Sequence, residues 1–370
     1  MTAFGARIPD ASSGAGPGAP TGPVLALDDV RVDFQGHDEL VSAVAGVSFA
    51  VERGEILGVV GESGCGKSTL AMAIMGLLGS TARVGGRIAF HGRDLVTMPE
   101  AERRTMRGDR IAMVFQDPLT SLDPAYSIGE QVAETIRAHR PVTKAEARAK
   151  ALALLQDVGI PAAELRYDDP PHRLSGGMRQ RVVVAAALAN DPELLIADEP
   201  STALDVTIQA QILALLRSLR DRRGTAMLLI THDLGVVAQL CDRVAVMYAG
   251  QLVELAPVAD LFAAPRHPYT EALLAAQPTA DQPRGSLRTI PGQVPDLSDP
   301  PAGCRFAPRC PLAMAVCTTD WPGLPEASPG HRVACWADPA THPETAAAAR
   351  AALPVVPAPA TPMTTSGGRA

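Results

Sequence analysis

The sequence predicts an α/β fold built on a largely parallel central sheet. Three observations carry that expectation. Short apolar runs alternate with helical stretches along most of the chain. One run, Ile56-Leu57-Gly58-Val59-Val60, reads as a buried strand and leads through a glycine-rich stretch into a helix. Before it, two β-rich runs at 24–34 and 42–51 look antiparallel, which suggests a smaller β subdomain packed on the main sheet.

Residues 1–23 are rich in Ala, Gly, Ser and Pro without apolar periodicity and are expected to be disordered. Val44, Val47, Phe49 and Val51 mark the second β run, and Gly54 breaks it. A helix is expected over 67–78. Residues 128–158 look helical with a break at Pro141, and a further helix is expected at 176–190. A strand at 194–197, a long helix at 206–222 and a strand at 225–230 complete the alternation. After Gly250 the signals weaken. Residues 256–335 carry Pro-rich turns and four of the six cysteines, and 338–370 read as a floppy Ala-, Pro- and Thr-rich tail. No internal repeat is present.

The chain has 370 residues, 46% hydrophobic and 20% charged, enough to bury a sizeable core. At about 150 residues per domain, this allows two or three domains, or one large unit with appendages. A net charge of −7 argues against a nucleic-acid binder held by a basic surface. No stretch approaches the roughly 18 to 20 apolar residues of a membrane span. The start lacks the charged, apolar and small-residue regions of a secretory signal, so the chain is expected to stay in the cytoplasm. Cysteines there point to metal or redox chemistry before structural disulfides.

Gly61-Glu62-Ser63-Gly64-Cys65-Gly66-Lys67-Ser68-Thr69 is a phosphate-loop motif set between a strand and a helix. Its glycines let backbone N–H groups converge on phosphate oxygens, and the helix start adds a positive dipole end. Lys67 suits the β- and γ-phosphates, and Ser68 suits Mg²⁺. The only lysines are Lys67, Lys144 and Lys150, so an accidental match is improbable. The run 194–199 ends in Asp198 and Glu199. Asp198 suits Mg²⁺, directly or through water, and Glu199 suits polarising an attacking water; alone, the pair would be an ordinary exposed strand end. Cys65 is read as a small spacer, with an oxidisable thiol as the alternative.

Leu174-Ser175-Gly176-Gly177-Met178-Arg179-Gln180-Arg181 offers a hydroxyl and bare backbone N–H groups at a helix start. With it, the chain resembles the ATP-binding cassette (ABC) ATPases, whose signature reads L-S-G-G-Q; Met178 takes the fourth polar position. The resemblance covers about 24–256. It implies a P-loop NTPase cassette with a RecA-like core sheet, an antiparallel β subdomain and a helical subdomain at about 118–190. It casts Gln116 as the Q-loop glutamine, also near Mg²⁺, Asp205 as the D-loop aspartate and His232 as the switch histidine. Phe34 stands where an aromatic stacks on adenine, or else belongs to the core. The implied mechanism packs two cassettes head to tail, so that Ser175, Gly176 and Gly177 of one close over the ATP of the other. ATP and Mg²⁺ are the implied cofactors.

Within that family the chain resembles the ATP-binding subunits of peptide importers and their nickel-importer relatives. The stretches 115–124, 204–209 and His267-Pro268-Tyr269-Thr270 follow their patterns. One departure is the spacing of Tyr167 from Pro171-His172, with Arg173 in place of an acidic or amide residue. The resemblance implies a second cassette chain, a heteromeric homologue in this reading, together with two transmembrane permease subunits and an extracytoplasmic binding protein. It places the chain peripherally on the cytoplasmic face of the membrane, with a permease coupling helix on 116–124. Import of nickel or an oligosaccharide is the alternative, and a non-transport ABC ATPase the more distant one.

Cys304, Cys310, Cys317 and Cys335 are separated by 5, 6 and 17 residues, with Pro308 and Pro311 nearby. Four thiolates suit an iron–sulfur cluster or a tetrahedral zinc, although zinc fingers usually pair cysteines as C-x₂-C. Buried or disulfide-bonded thiols remain a third reading. The motif resembles that of the peptide-importer subunits, which implies a [4Fe–4S] cluster in a small Cys-containing extension at 257–337. Cys241 is expected in the core.

Overall fold

The computed structural model describes residues 22–36, 39–200, 206–277 and 289–351. The expected disorder of 1–21, the D-loop residue Asp205 and residues 352–370 lie outside them.

Twelve strands are defined among these residues: β1 Leu25–Gln35, β2 Leu40–Val51, β3 Ile56–Val60, β4 Ala82–Phe90, β5 Arg93–Asp94, β6 Ile111–Val114, β7 Leu194–Asp198, β8 Ala226–Ile230, β9 Arg243–Tyr248, β10 Gln251–Pro257, β11 Glu326–Ser328 and β12 His331–Val333. They form two sheets. The smaller has the order β2-β1-β4-β5 and is antiparallel, as the early β-rich runs predict. The larger has the order β11-β12-β10-β9-β3-β8-β7-β6. Its β9-β3-β8-β7-β6 part is parallel, and β10, β12 and β11 add to it antiparallel.

Sequence pattern explains the layering. Strands β3, β7 and β8 are buried at every position, the mark of a parallel strand covered on both faces. Successive side chains still alternate. Leu194, Ile196, Leu228 and Ile230 face a core shared with the small sheet and the helix Lys67–Met75. Leu195, Ala197, Met227 and Leu229 face a second core shared with the helical subdomain.

That subdomain is punctuated by caps. Ser127 accepts the Glu130 N–H to start the helix Ile128–His139, and a Thr143–Glu146 capping box starts Lys144–Asp157. Pro141 lies between the two helices, where the chain cannot continue helical. Tyr167 is buried against Gly129, and a Cβ there would lie 2.3 Å from its ring. The turn after Tyr167 is tied back by Ile128 N–H donating to Asp169 O at 3.0 Å. The extra residues before Pro171 therefore sit in an ordered turn against the helix start.

A third core joins β9 and β10 to the C-terminal region through Tyr248, Tyr269, Phe306, Cys304 and Cys317. With β12 paired to β10, this region extends the cassette's own sheet. One sequence expectation is corrected. Residues 338–351 are not a floppy tail. Asp338 is buried and pairs with Arg266 at 2.8 Å, and the helix Pro343–Ala351 buries Ala346 and Ala349. The Ala-rich composition that suggested disorder instead supplies a helix with a small apolar face.

Candidate active site

The phosphate loop leaves β3 and curls around the Lys67 side chain. Lys67 is buried, and its Nζ donates to Gly61 O at 2.8 Å and Glu62 O at 2.9 Å. Two glycines make the curl possible. Gly61 and Gly66 have φ of 155° and 97°, and a Cβ on either would lie 2.1 Å from Met247 O or 2.3 Å from Ala43 O. Ser63, Gly64 and Ser68 are exposed at the mouth, with Thr69 half-buried behind them. Cys65 is buried, and burial pushes its thiol above the usual range against the opposing charge of Lys67.

The Ser68 hydroxyl lies beside the Asp198 carboxylate at the end of β7. Burial, aided by Glu199, raises the Asp198 carboxyl above its ordinary range, and Ser68 and Lys67 oppose that. Asp198 Oδ1 is buried with no hydrogen-bond partner. A hydroxyl beside an under-satisfied buried carboxylate is a hard-oxygen set that fits Mg²⁺.

Glu199 follows with φ 48°, and its N–H donates to Ile230 O at 2.8 Å. This left-handed kink turns the carboxylate away from the strand direction. Gln116 Nε2 donates to Glu199 Oε2 at 3.0 Å, and His232 Nδ1 lies 3.1 Å from Glu199 Oε1. Two side chains far apart in sequence therefore converge on one carboxylate. Asp233 caps the next helix by accepting the Gly235 N–H at 2.8 Å, which fixes the turn carrying His232.

The signature lies at a helix start. Ser175 and Gly176 are exposed, and Ser175 Oγ accepts the Met178 N–H at 3.3 Å. Gly177 is half-buried, with room for no side chain because Ile208 would lie 2.8 Å from a Cβ. Phe34 is partly buried against the first core.

Two residues that contact the phosphate loop were given no role at the nucleotide site from sequence. The Glu62 N–H donates to Tyr269 Oη at 2.9 Å. Arg309 donates to both Glu62 carboxylate oxygens, at 2.8 and 3.2 Å. Tyr269 sits in the His267–Thr270 motif, and Arg309 directly precedes Cys310. Neither signal reveals a partner some 200 residues away.

The family profile described as ABC transporter matches residues 44–202, and that described as oligopeptide/dipeptide transporter, C-terminal region, matches 253–317. The oligopeptide transport ATP-binding protein OppD of Salmonella typhimurium is 48% identical over 317 residues, 86% of this chain and 94% of that protein. The chain belongs to the ABC transporter family. The dipeptide transport ATP-binding protein DppD of Bacillus subtilis is also 48% identical, over 85% of this chain and 94% of that protein. Among solved structures, a dimeric bacterial ABC transporter cassette aligns with TM-score 0.58 at 28% identity, over 63% of this chain and 98% of that one. The fold is thus the ABC ATPase cassette that the signature motif implies.

The four late cysteines are brought together. Cys304, Cys310, Cys317 and Cys335 line one small cavity with His267, Leu312 and Trp336. All are free thiols. Two of the sulfurs accept backbone N–H groups, Cys310 from Leu312 at 3.4 Å and Cys317 from Met314 at 3.5 Å. Among the described residues, no three His, Cys, Asp or Glu side chains stand ready to hold one metal ion. Cys241 is partly buried between the second and third cores, and burial pushes its thiol up to about 12.

Proposed function

We propose that this chain binds and hydrolyses ATP to energise import of di- or oligopeptides through membrane permeases. The carrying observation is similarity over 85–86% of the chain to peptide-transport ATP-binding proteins, cassette and C-terminal region together. The catalytic geometry agrees. Lys67 and the loop N–H groups take the phosphates, and Glu199, oriented by Gln116 and His232, polarises the attacking water. Ser68 and Asp198, with Gln116 nearby, would hold Mg²⁺, which neutralises phosphate charge when bound. Gly61 to Thr69 contact the nucleotide through the loop backbone and the side chains of Lys67 and Ser68, and Phe34 stacks on adenine.

Ser175, Gly176 and Gly177 present an exposed helix start that suits the γ-phosphate of a partner cassette. Asp205 serves the same interface. The partner is a heteromeric homologue. Two permease subunits supply the spans, since among the described residues no helix is long and apolar enough to cross a membrane. Residues 116–124 receive a permease helix, and the exposed Phe115 and Tyr126 beside them support that docking. An extracytoplasmic binding protein delivers the peptide, and the chain sits at the cytoplasmic face. The cassette occupies 24–256, with its helical subdomain at about 118–190, and 257–337 forms the peptide-transporter region.

The four cysteines hold a [4Fe–4S] cluster in this reading. Four free cysteines lining one cavity, two of them with backbone N–H groups on sulfur, support that ligand set. Purified anaerobically, the full chain should carry iron and inorganic sulfide and absorb in the visible. Zinc at one equivalent without iron would overturn the cluster.

The function itself is tested by ATP hydrolysis of the membrane complex in proteoliposomes, with and without peptide-loaded binding protein. Peptide should stimulate hydrolysis, and Glu199→Gln should abolish the stimulation. Stimulation by nickel or an oligosaccharide instead would reassign the cargo.

A further inference from the structure

We propose that Arg309, from the C-terminal region, is a positioning residue for ATP binding that holds and neutralises Glu62 in the phosphate loop. The inference rests on the ATP-hydrolysis reading and goes beyond it, because it places part of the nucleotide site in the segment downstream of the cassette.

Glu62 puts a carboxylate inside a loop whose task is to bind polyphosphate. Left unpaired, that charge repels the nucleotide. Arg309 meets it with two nitrogens, at 2.8 and 3.2 Å, in the forked geometry that suits a carboxylate. The guanidinium is itself built in. Its side chain is 5% exposed, and it also donates to Tyr248 Oη at 3.1 Å and to the carbonyls of Ile290 and Pro291. Tyr269 acts alongside it, accepting the Glu62 N–H and so fixing which way that peptide faces.

A second contact from the same turn reaches the far side of the loop. Arg305 is buried and donates to Ala249 O at 2.6 Å and Ser42 O at 3.0 Å. The next residue, Gly250, donates its N–H to Cys65 O at 3.0 Å. The segment 304–310 therefore grips the loop at Glu62 through Arg309 and supports it at Cys65 through Arg305. Its ends are two of the cysteines that line the thiol cavity, so the conformation of that cavity and of the phosphate loop are mechanically joined.

The test is steady-state ATP hydrolysis by the full membrane complex, with thermal unfolding as the check on folding. Arg309→Ala should raise the KM for ATP about 10-fold with kcat within about 2-fold, as expected when a forked charge pair is lost and its carboxylate stays behind. Arg309→Lys, which keeps charge but not the fork, should fall between. The decisive variant is Glu62→Gln combined with Arg309→Ala. Removing the stranded carboxylate should bring KM back to within about 3-fold of the parent. A folded Arg309→Ala protein with unchanged KM would overturn the proposal. So would a double variant no better than Arg309→Ala, which would make Arg309 a prop of the fold alone. Failure of the parent complex to hydrolyse ATP would instead remove the functional reading beneath it.

Discussion

Glu199 shows how one residue's backbone serves chemistry. An L-residue at φ 48° is strained, and the strain is held by its N–H bond to Ile230 O and by the side chains of Gln116 and His232. Glu199→Gln should lower kcat by about 10² to 10⁴-fold with the KM for ATP little changed, measured on the reconstituted complex. Asp198 tells a complementary story. Its carboxyl is raised chiefly by burial, so the metal-free fold is favoured by the protonated form. That contribution is full below the ordinary Asp range and is lost as pH rises through the raised value. Asp198→Asn should therefore raise the Tm of the metal-free protein at neutral pH while abolishing Mg²⁺-dependent hydrolysis. A Tm that falls would contradict the electrostatic account.

Elements are joined by buried polar anchors more than by their own propensities. Glu254 on β10 is fully buried and accepts from the N–H groups of Arg266 and His267, at 2.8 and 3.0 Å, and pairs with His331 of β12 at 2.7 Å. One carboxylate thus fastens the start of the helix Pro268–Ala275 and the strand that leads to Cys335. Burial alone would raise its carboxyl, but the hydrogen bonds from His331 and the backbone outweigh that and hold it below the ordinary range. Glu254→Ala strands these donors and should cost about 3 to 5 kcal/mol, read as a fall in denaturation midpoint. His267 adds a pH dependence. Burial pushes its imidazole down to about 4, and its Nδ1 accepts the Tyr269 N–H at 3.0 Å as the helix cap. A base whose folded value lies below its unfolded one stabilises fully above about pH 6.5 and loses that stability as pH falls toward its folded value. His267→Asn, which keeps a cap acceptor without the titration, should flatten the Tm-against-pH curve between about pH 4 and 6.5.

At the scale of the whole molecule, the C-terminal region and the cassette share a sheet and a core. β12 pairs with β10, Tyr269 and Phe306 pack on Tyr248, and the segment 304–310 reaches the phosphate loop. The boundary at 256/257 implied by the resemblance therefore falls inside a packed unit. A chain ending at Pro257 would expose Val246, Tyr248 and Val253, all fully buried in the intact protein. It should aggregate or unfold well below the parent, while the full chain should melt in one transition spanning both parts. Two separated transitions would show independent domains.

What the sequence determined alone is local and chemical. A strand, a glycine-rich turn and a helix in succession define the phosphate loop, because glycine is needed where the backbone closes on Met247 and Ala43. Short apolar runs and the helix break at Pro141 were legible for the same reason: each acts through neighbours a few residues away. The helix at 343–351 was lost in its Ala-rich composition, since its docking depends on Asp338 meeting Arg266, 72 residues back. The convergence of Gln116 and His232 on Glu199 was foreshadowed by motif order, but the contacts themselves come from the ends of three strands laid side by side in the parallel sheet. The grip of Arg309 on Glu62 has no local signal at all. It spans 247 residues, and only tertiary folding decides it, because a charge pair of that separation exists when the third core brings the two segments together and not before.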